Sequence, residues 1–175
     1  MKNYLRFAAV ILLMLGLLLT AFPASAGAIK TYVTGEIYPL RESYPPEFRS
    51  WISEQYVWHW RNELMEFQYV ASDDRLLGYA KLNNNGDSHY TSDWVHLFSH
   101  VWAKWTIYAE PEYATPLWEC TESGWFDAQW NLTAEGVCQG RGVNKGLVAK
   151  LTITITDWSL GYMEFQGEIL EPGGE

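Results

Sequence analysis

The 175-residue sequence has few basic residues: 12 lysines and arginines stand against 21 aspartates and glutamates, and the formal net charge is −9. A surface of that sign repels phosphate backbones and anionic lipid head groups. We therefore expect no nucleic-acid partner. Charged residues make up only 19% of the chain and aromatic residues reach 16%, which argues against a disordered chain.

The chain has no hydrophobic run long enough for a transmembrane helix. Such a helix needs about 20 apolar residues, whereas the uncharged run over residues 7–19 is shorter. Two basic residues precede this run, and the small residues at 24–26 suit signal peptidase. We predict a signal peptide over residues 1–26 and a single domain over residues 27–175. The mature chain would be secreted or periplasmic, with no stable membrane span.

Only two cysteines are present, Cys120 and Cys138, without the CxxC spacing of many metal and redox sites. An exported protein folds in an oxidising compartment, where a cysteine pair forms a stable disulfide. A hairpin folded near Gln129 would place the two opposite each other on neighbouring strands. We predict a structural disulfide worth about 3 kcal/mol, with a reactive or metal-binding thiol as the alternative. The sequon at Asn131 lies on the same hairpin tip and matters only in a eukaryotic source.

Long helical periodicity is missing from the mature chain, and strand patterns take its place. Apolar residues alternate with polar ones over 147–156 and again over 162–170, with a turn at 157–161. These segments predict a C-terminal hairpin. Further strands are predicted at 29–38, 56–61, 65–72, 76–82, 103–109 and 117–126. Turn signals fall at 72–74, 83–87, 110–111 and 140–146, and one short helix is predicted to start within 45–52.

The spacing of these strands indicates an all-β fold. Several glycines lie within or beside strands, where they cost stability unless the strand bends sharply, as it does in small coiled barrels. The glycines in question are Gly78, Gly124, Gly140, Gly142, Gly161 and Gly167. We predict a single antiparallel β-barrel of about eight strands, with a β-sandwich as the alternative.

Blocks of glycines and turn residues carry a resemblance to a known kind of barrel. These blocks are Asp73-Asp74-Arg75-Leu-Leu-Gly78, the turn at 83–85, and the segments 118–125, 140–147 and 165–172. Over about residues 56 to 172 the chain resembles exported bacterial proteins that are expected to form calycin-type barrels like those of allene oxide cyclase and dirigent proteins. The resemblance implies a barrel. It carries no catalytic residue over, and the two cysteines depart from it.

Three polar side chains are weak candidates for acid–base chemistry. If the face that carries His59 and Arg61 turned inward, His59 would be a general base and Arg61 would stabilise an oxyanion. Bulky aromatic residues usually occupy the interior of a barrel. If Trp58 and Trp60 turn inward for this reason, His59 and Arg61 are solvated. The third candidate is Glu119.

Glu119 becomes an acid or base near neutral pH only if it is enclosed. Trp105, Trp118 and Trp125 are the residues expected to enclose it, and burial among them would raise the pKa of its carboxyl. The alternative is a solvated acid on a surface strand, which the acidic composition makes common.

The histidine pair His96-x-x-x-His100 suits a strand better than a helix. Residues four apart on one strand face are about 13 Å apart, which is too far to share a metal ion. We therefore predict no metal site and no cofactor.

Ten tryptophans are the strongest unusual feature of the composition. Their flat apolar rings suit pockets for hydrophobic molecules, and the candidates are Trp58, Trp60, Trp105, Trp118 and Trp125. We predict binding of a small hydrophobic or aromatic ligand. The alternatives are a cyclase or isomerase on such a barrel, and a surface-interaction or carbohydrate-binding module. The sequence gives no oligomeric state.

Overall fold

The computed structural model describes residues 27–155 and 161–173. Its β-strands are β1 (Ile29–Ser43), β2 (Arg49–Ile52), β3 (Val57–Ala71), β4 (Gly78–Tyr90), β5 (His96–Tyr108), β6 (Pro116–Phe126), β7 (Leu132–Gly140), β8 (Val148–Ile155) and β9 (Met163–Glu171). Two 3-10 turns, Asp74–Leu76 and Gly142–Asn144, join β3 to β4 and β7 to β8. The predicted signal peptide and most of the predicted turn at 157–161 lie outside the described residues.

The strands form one antiparallel sheet that closes on itself. Its order is β1-β9-β8-β7-β6-β5-β4-β3-β2, and β1 also pairs with β3. β1 lies beside the second half of β3, from Leu64 to Ala71, while β2 lies beside the first half, from Trp58 to Arg61. The result is a closed barrel of eight strands with β2 as an extra strand. The predicted barrel is confirmed, and a two-layer sandwich is not formed.

Apart from Ile29, the first residue of β1, the barrel falls within one compact unit, Lys30–Glu171. Residues 27–29 and 172–173 are grouped apart from this unit. Within the described part of the chain, no helix is both long and apolar enough to cross a membrane.

Alternation of side chains explains why these segments form strands. In β8, Ala149, Leu151, Ile153 and Ile155 are buried, as their period of two predicts. Cys120 and Cys138 are directly opposed on β6 and β7 and form a disulfide, which confirms the predicted pair. Their hairpin turns at 127–131, where the Asp127 carboxylate accepts hydrogen bonds from the Gln129 and Asn131 backbone.

Two local predictions were wrong because pairing with β3 overrides local propensity. The helix expected within 45–52 is instead strand β2, which hydrogen-bonds along β3. The turn expected at 83–87 lies inside β4. There Gly86 leaves room for the Trp60 ring, since a Cβ at Gly86 would lie 2.2 Å from Trp60 Cζ2.

A bulge at Asn62, which has a φ of 61°, joins the two strands predicted at 56–61 and 65–72 into one.

One end of the barrel, where β3 finishes, is closed by the two 3-10 turns. Leu76 is fully buried there beside Trp118, whose Nε1 donates a hydrogen bond of 2.6 Å to the Arg75 carbonyl oxygen. The same carbonyl accepts a 3.2 Å bond from Asn144 Nδ2. Gly140 fits against this turn because a Cβ would lie 1.8 Å from the Asn144 carbonyl oxygen. The polar groups of this plug are therefore satisfied.

Candidate ligand-binding cavity

The opposite end of the barrel, where β3 begins and β8 ends, holds a cavity of about 530 Å³. That volume lies within the usual range of about 300–1,000 Å³ for small-molecule sites. Tyr44 and Trp58 line the cavity and are exposed at this end, so the cavity reaches the protein surface there. A ligand has access to the interior through this mouth.

The wall of the cavity is mainly apolar. Its aromatic members are Tyr44, Phe48, Trp58, Trp60, Phe67, Tyr69, Phe126, Trp130 and Tyr162. Its aliphatic members include Ile37, Leu82, Val101, Leu132, Ile153 and Ile155. These residues come from seven strands and from the connecting chain beside β1, β2, β6 and β9, so closure of the barrel assembles the wall.

Tryptophans at the start of β3 form part of this wall. Trp60 is buried with its ring over Gly86, and Trp58 is 37% exposed nearer the mouth. The two ring centroids are 5.3 Å apart. Both predicted ligand-binding residues therefore line the cavity.

The other three predicted tryptophans lie elsewhere. Trp105 is buried and stacks on Tyr69 with centroids 5.2 Å apart, behind the cavity wall. Trp118 belongs to the plug at the closed end. Trp125 is 54% exposed on the outer surface, because it has the opposite strand parity to Trp118 on β6. Trp105, Trp118 and Trp125 therefore do not line the cavity.

Glu122 is the functional candidate that the sequence interpretation missed. It lies on the inward face of β6 and lines the cavity, which accounts for its partial accessibility. Burial raises the pKa of its carboxyl to about 7. No hydrogen bond or opposite charge from the described residues offsets that burial. A signal was present, since Glu122 shares strand parity with Trp118 and the disulfide residue Cys120.

A second carboxyl, Glu63, lies on the same row of paired residues. Glu63 is paired with Asn84, Asn84 with Ala103, and Ala103 with Glu122, so the row crosses β3 to β6. Asn84 Nδ2 donates a 2.7 Å hydrogen bond to Glu63 Oε2. Burial raises the pKa of Glu63, although this hydrogen bond opposes the change. Glu63 is therefore partnered, whereas Glu122 is not.

A chain of polar side chains also reaches the wall at Ser88. Ser88 Oγ and Ser99 Oγ are 2.6 Å apart, and His96 Nε2 is 2.9 Å from Ser99 Oγ. His96 stacks on Trp130 with centroids 3.7 Å apart, and burial lowers the pKa of its imidazole. The histidine is thus neutral near neutral pH and acts as a support for Ser99.

His96 and His100 do not share a face, contrary to the sequence interpretation. Near Tyr90 the register between β4 and β5 shifts, so that His89 pairs with Phe98 and Tyr90 pairs with His96. His96 therefore turns inward, while His100 Nε2 lies 3.0 Å from Ser123 Oγ on the outer surface. Among residues 27–155 and 161–173, no three His, Cys, Asp or Glu side chains are grouped as metal ligands.

Glu119 lies outside the barrel and is not enclosed by tryptophans. Its side chain forms an ion pair with Arg141 and is about half exposed. The hydrogen bond from Arg141 lowers the pKa of Glu119, which is the opposite of the change expected for an enclosed acid. Strand parity is the reason, because the inward positions of β6 are those of Trp118, Cys120 and Glu122.

His59 and Arg61 also face outward, in a cluster on the outer surface. His59 Nδ1 is 2.7 Å from Asp87 Oδ1, and Arg61 donates a 2.8 Å bond to the same oxygen. Partial burial alone would raise the pKa of Asp87, but hydrogen bonds from Arg61 and His59 lower it. The Arg61 guanidinium lies 5.3 Å from the Trp51 ring and 4.6 Å from the Trp102 ring. Neither His59 nor Arg61 lines the cavity.

Comparison of the chain with protein-family models, with curated proteins and with solved structures gave no match in any of the three. The resemblance to allene oxide cyclase and dirigent barrels therefore stays a prediction. Function has to be inferred from the cavity, because a fold alone does not define a function.

Proposed function

We propose that the protein is exported and binds a small hydrophobic or aromatic molecule inside the barrel. The observation that carries this proposal is the cavity of about 530 Å³ with its aromatic and aliphatic wall. Transfer of apolar surface from water to such a wall is favourable by about 25 cal/mol per Å². Tyr44 and Trp58 are exposed at the mouth of the cavity, and their rings suit the entry of an apolar molecule.

Export is supported by the Cys120–Cys138 disulfide together with the leader-like N-terminal sequence. Disulfides persist in oxidising compartments and are rare in the cytosol. N-terminal sequencing of the protein recovered outside the cytoplasm is expected to begin at Gly27. Recovery of a cytosolic protein that retains residues 1–26 would contradict this part of the proposal.

Binding is tested with N-phenyl-1-naphthylamine, a neutral dye whose emission rises in apolar surroundings. Val101 lines the cavity and is 5% exposed, so Val101→Phe fills part of the space. Val137 is exposed on the outer side of β7, so Val137→Phe is the matched control. We expect Val101→Phe to weaken dye binding about fivefold or more, and the control to change it less than about twofold. Absence of dye binding to the wild-type protein would contradict the proposal.

A cyclase or isomerase is a second candidate, and Glu122 is the observation that favours it. A carboxyl with a pKa near 7 in an apolar cavity can take a proton from a substrate and return it near neutral pH. The proton would leave a substrate carbon for Glu122 and return to another carbon, which leaves the enzyme unchanged. A bound molecule that is recovered chemically unchanged after long incubation would leave binding as the function.

Carbohydrate binding on the outer surface has less support. Trp51 and Trp125 are exposed and Trp102 is partly exposed on that surface, but another side chain lies over one face of each ring. His59 stacks on Trp51 with centroids 4.9 Å apart, and His100 stacks on Trp125 at 4.4 Å. A sugar stacks on an open ring face, and one face of each of these rings is already occupied.

A further inference from the structure

We propose that the ligand is an organic ammonium, an aromatic or aliphatic body with one protonated amine, and that this amine pairs with the Glu122 carboxylate inside the barrel. The inference rests on the proposed function, because it specifies the chemistry of the molecule held in the cavity. It follows from the charges and rings of the wall.

The first argument is the charge of the wall. Its acids are Glu63 and Glu122, and no lysine, arginine or histidine belongs to the part of the wall that the structure describes. Arg61, on the neighbouring strand β3, is turned outward to Asp87. His96 reaches the wall only through Ser99 and Ser88. The cavity therefore presents negative charge with no positive charge of its own.

The second argument is that Glu122 lacks a partner. Asn84 already donates a hydrogen bond to Glu63, whereas burial of Glu122 is not offset by a donor or a cation. An ionised carboxylate that leaves water without compensation is costly, and proteins normally pair such a group. An ammonium ligand supplies both the charge and the donors. An alcohol supplies one donor, and a carboxylate ligand is repelled.

The third argument is the aromatic surface around the acids. Tyr69 lies near enough to Glu122 that the carboxylate charge raises the pKa of its phenol further, beyond the effect of burial. Trp60, Phe67 and Tyr44 add ring surface to the same wall. The faces of such rings attract cations, most strongly where water is excluded. Rings and carboxylates together favour a cation with an apolar body over a neutral or anionic molecule.

The experiment compares three probes that share one ring system and differ in charge: 1-naphthylmethylamine, 1-naphthylmethanol and 1-naphthoate. Isothermal titration calorimetry measures each affinity for the wild-type protein and for Glu122→Gln. At about pH 8, we expect the protonated amine to bind wild type about tenfold more tightly than the alcohol. We expect the naphthoate to bind most weakly. In Glu122→Gln the preference for the amine should fall to about twofold or less, while the alcohol keeps its affinity.

Glu119→Gln is the matched control, because Glu119 lies on the same strand, faces outward and pairs with Arg141. It should leave the preference for the amine unchanged. The wild-type protein offers a second readout that needs no substitution. Protonation of Glu122 at about pH 5.5 should remove most of the preference for the amine.

Other titratable groups facing the cavity are Glu63 and the phenols of Tyr44, Tyr69 and Tyr162, with His96 behind Ser99. The phenols of Tyr69 and Tyr44 stay neutral in this pH range, since burial raises the pKa of Tyr69 and the hydrogen bond to Glu42 raises that of Tyr44 to about 12. Glu63→Gln therefore tests whether Glu63, the remaining acid of the wall, contributes to the preference for the amine. If it retains the pH-dependent preference, the preference belongs to Glu122.

The outcomes separate this inference from the proposed function. Equal binding of the amine and the alcohol to wild type would overturn the ammonium inference and leave the apolar binding site standing. Full retention of the amine preference in Glu122→Gln would overturn it as well. Failure of all three probes and of N-phenyl-1-naphthylamine would overturn the proposed function.

Discussion

The two ends of the barrel are built from the same strands but differ in how their polar groups are satisfied. At the closed end, Trp118 and Asn144 both donate hydrogen bonds to the Arg75 carbonyl oxygen, and Leu76 is fully buried. At the open end, Glu122 faces a cavity without a partner, and Trp58 is exposed. The interior is thus complete at one end and incomplete at the other.

This difference separates the parts of the barrel that stabilise it from the part available for binding. A satisfied, close-packed plug contributes stability. An unpartnered acid in a cavity costs stability and is kept where function needs it. Substitutions at the closed end should therefore affect unfolding most, and substitutions around the cavity should affect ligand affinity most.

The largest effect is expected for Trp118→Ala, compared with Trp58→Ala at the mouth. Trp118 is fully buried, so its truncation should lower the free energy of unfolding by about 4 kcal/mol. Trp58 is partly exposed, so its truncation should cost no more than about 1 kcal/mol but should weaken dye binding. Urea unfolding followed by circular dichroism measures both variants.

A milder change at the closed end isolates its hydrogen bond. Trp118→Phe keeps most of the ring and removes the donor to Arg75, for an expected loss of about 1–2 kcal/mol. Equal destabilisation by Trp118→Ala and Trp58→Ala would end the distinction between the two ends.

The second effect concerns the disulfide, which lies between the plug and the cavity. Replacing Cys120 and Cys138 together with alanine should lower the free energy of unfolding by about 3 kcal/mol, because the link restricts the unfolded chain. The same urea unfolding measures the loss, and reduced wild-type protein should match the double variant. A double variant as stable as the oxidised protein would show that strand pairing alone holds this region.

The third effect, a gain in stability for Glu122→Gln, is expected to be somewhat smaller than the loss of the disulfide. Burial raises the pKa of Glu122 from 4.5 to about 7, so the folded state holds its proton more tightly than the unfolded state. The cost of ionisation is absent below about pH 4.5, grows as the pH rises to about 7, and is then constant. Glu122→Gln should therefore be about 2–3 kcal/mol more stable than wild type at about pH 8 and equally stable at about pH 4.

Glu119→Gln is the comparison for this prediction as well. The pKa of Glu119 is lowered by Arg141, and the pair is exposed, so its loss should change stability little. If Glu122→Gln gave the same pH profile as wild type, Glu122 would not be buried in the way that the structure describes.

The barrel was predictable because its strands follow a local rule. Alternation in β8 and the opposition of Cys120 and Cys138 both follow from a period of two. The segment 83–87 was not predictable as strand, since asparagines and Gly86 favour turns. Its strand conformation depends on β3, where Asn84 finds Glu63 and Gly86 receives the Trp60 ring. Such pairings join residues far apart in sequence, and local patterns do not contain them.

The candidate site was predictable only in part. Trp58 and Trp60, chosen for their size and shared strand, both line the cavity, and their contact with a ligand stays a prediction. Glu119, the acid expected inside the barrel, lies outside it, because parity with Cys120 turns Glu122 inward instead. Whether a barrel interior is filled or hollow depends on the summed volumes of side chains from all strands. That sum becomes available only when the register of the strands is known.

The bond between Cys120 and Cys138 fixes the alignment of the two strands that turns Glu122 toward the cavity. A slip of one residue between β6 and β7 would turn Glu122 out to the solvent and bring its neighbours in. The covalent crosslink, one inward position away on the same two strands, forbids that slip. Oxidation of the two cysteines thus secures the strand alignment that holds the Glu122 carboxyl inside the barrel, and reduction would leave strand pairing alone to hold it.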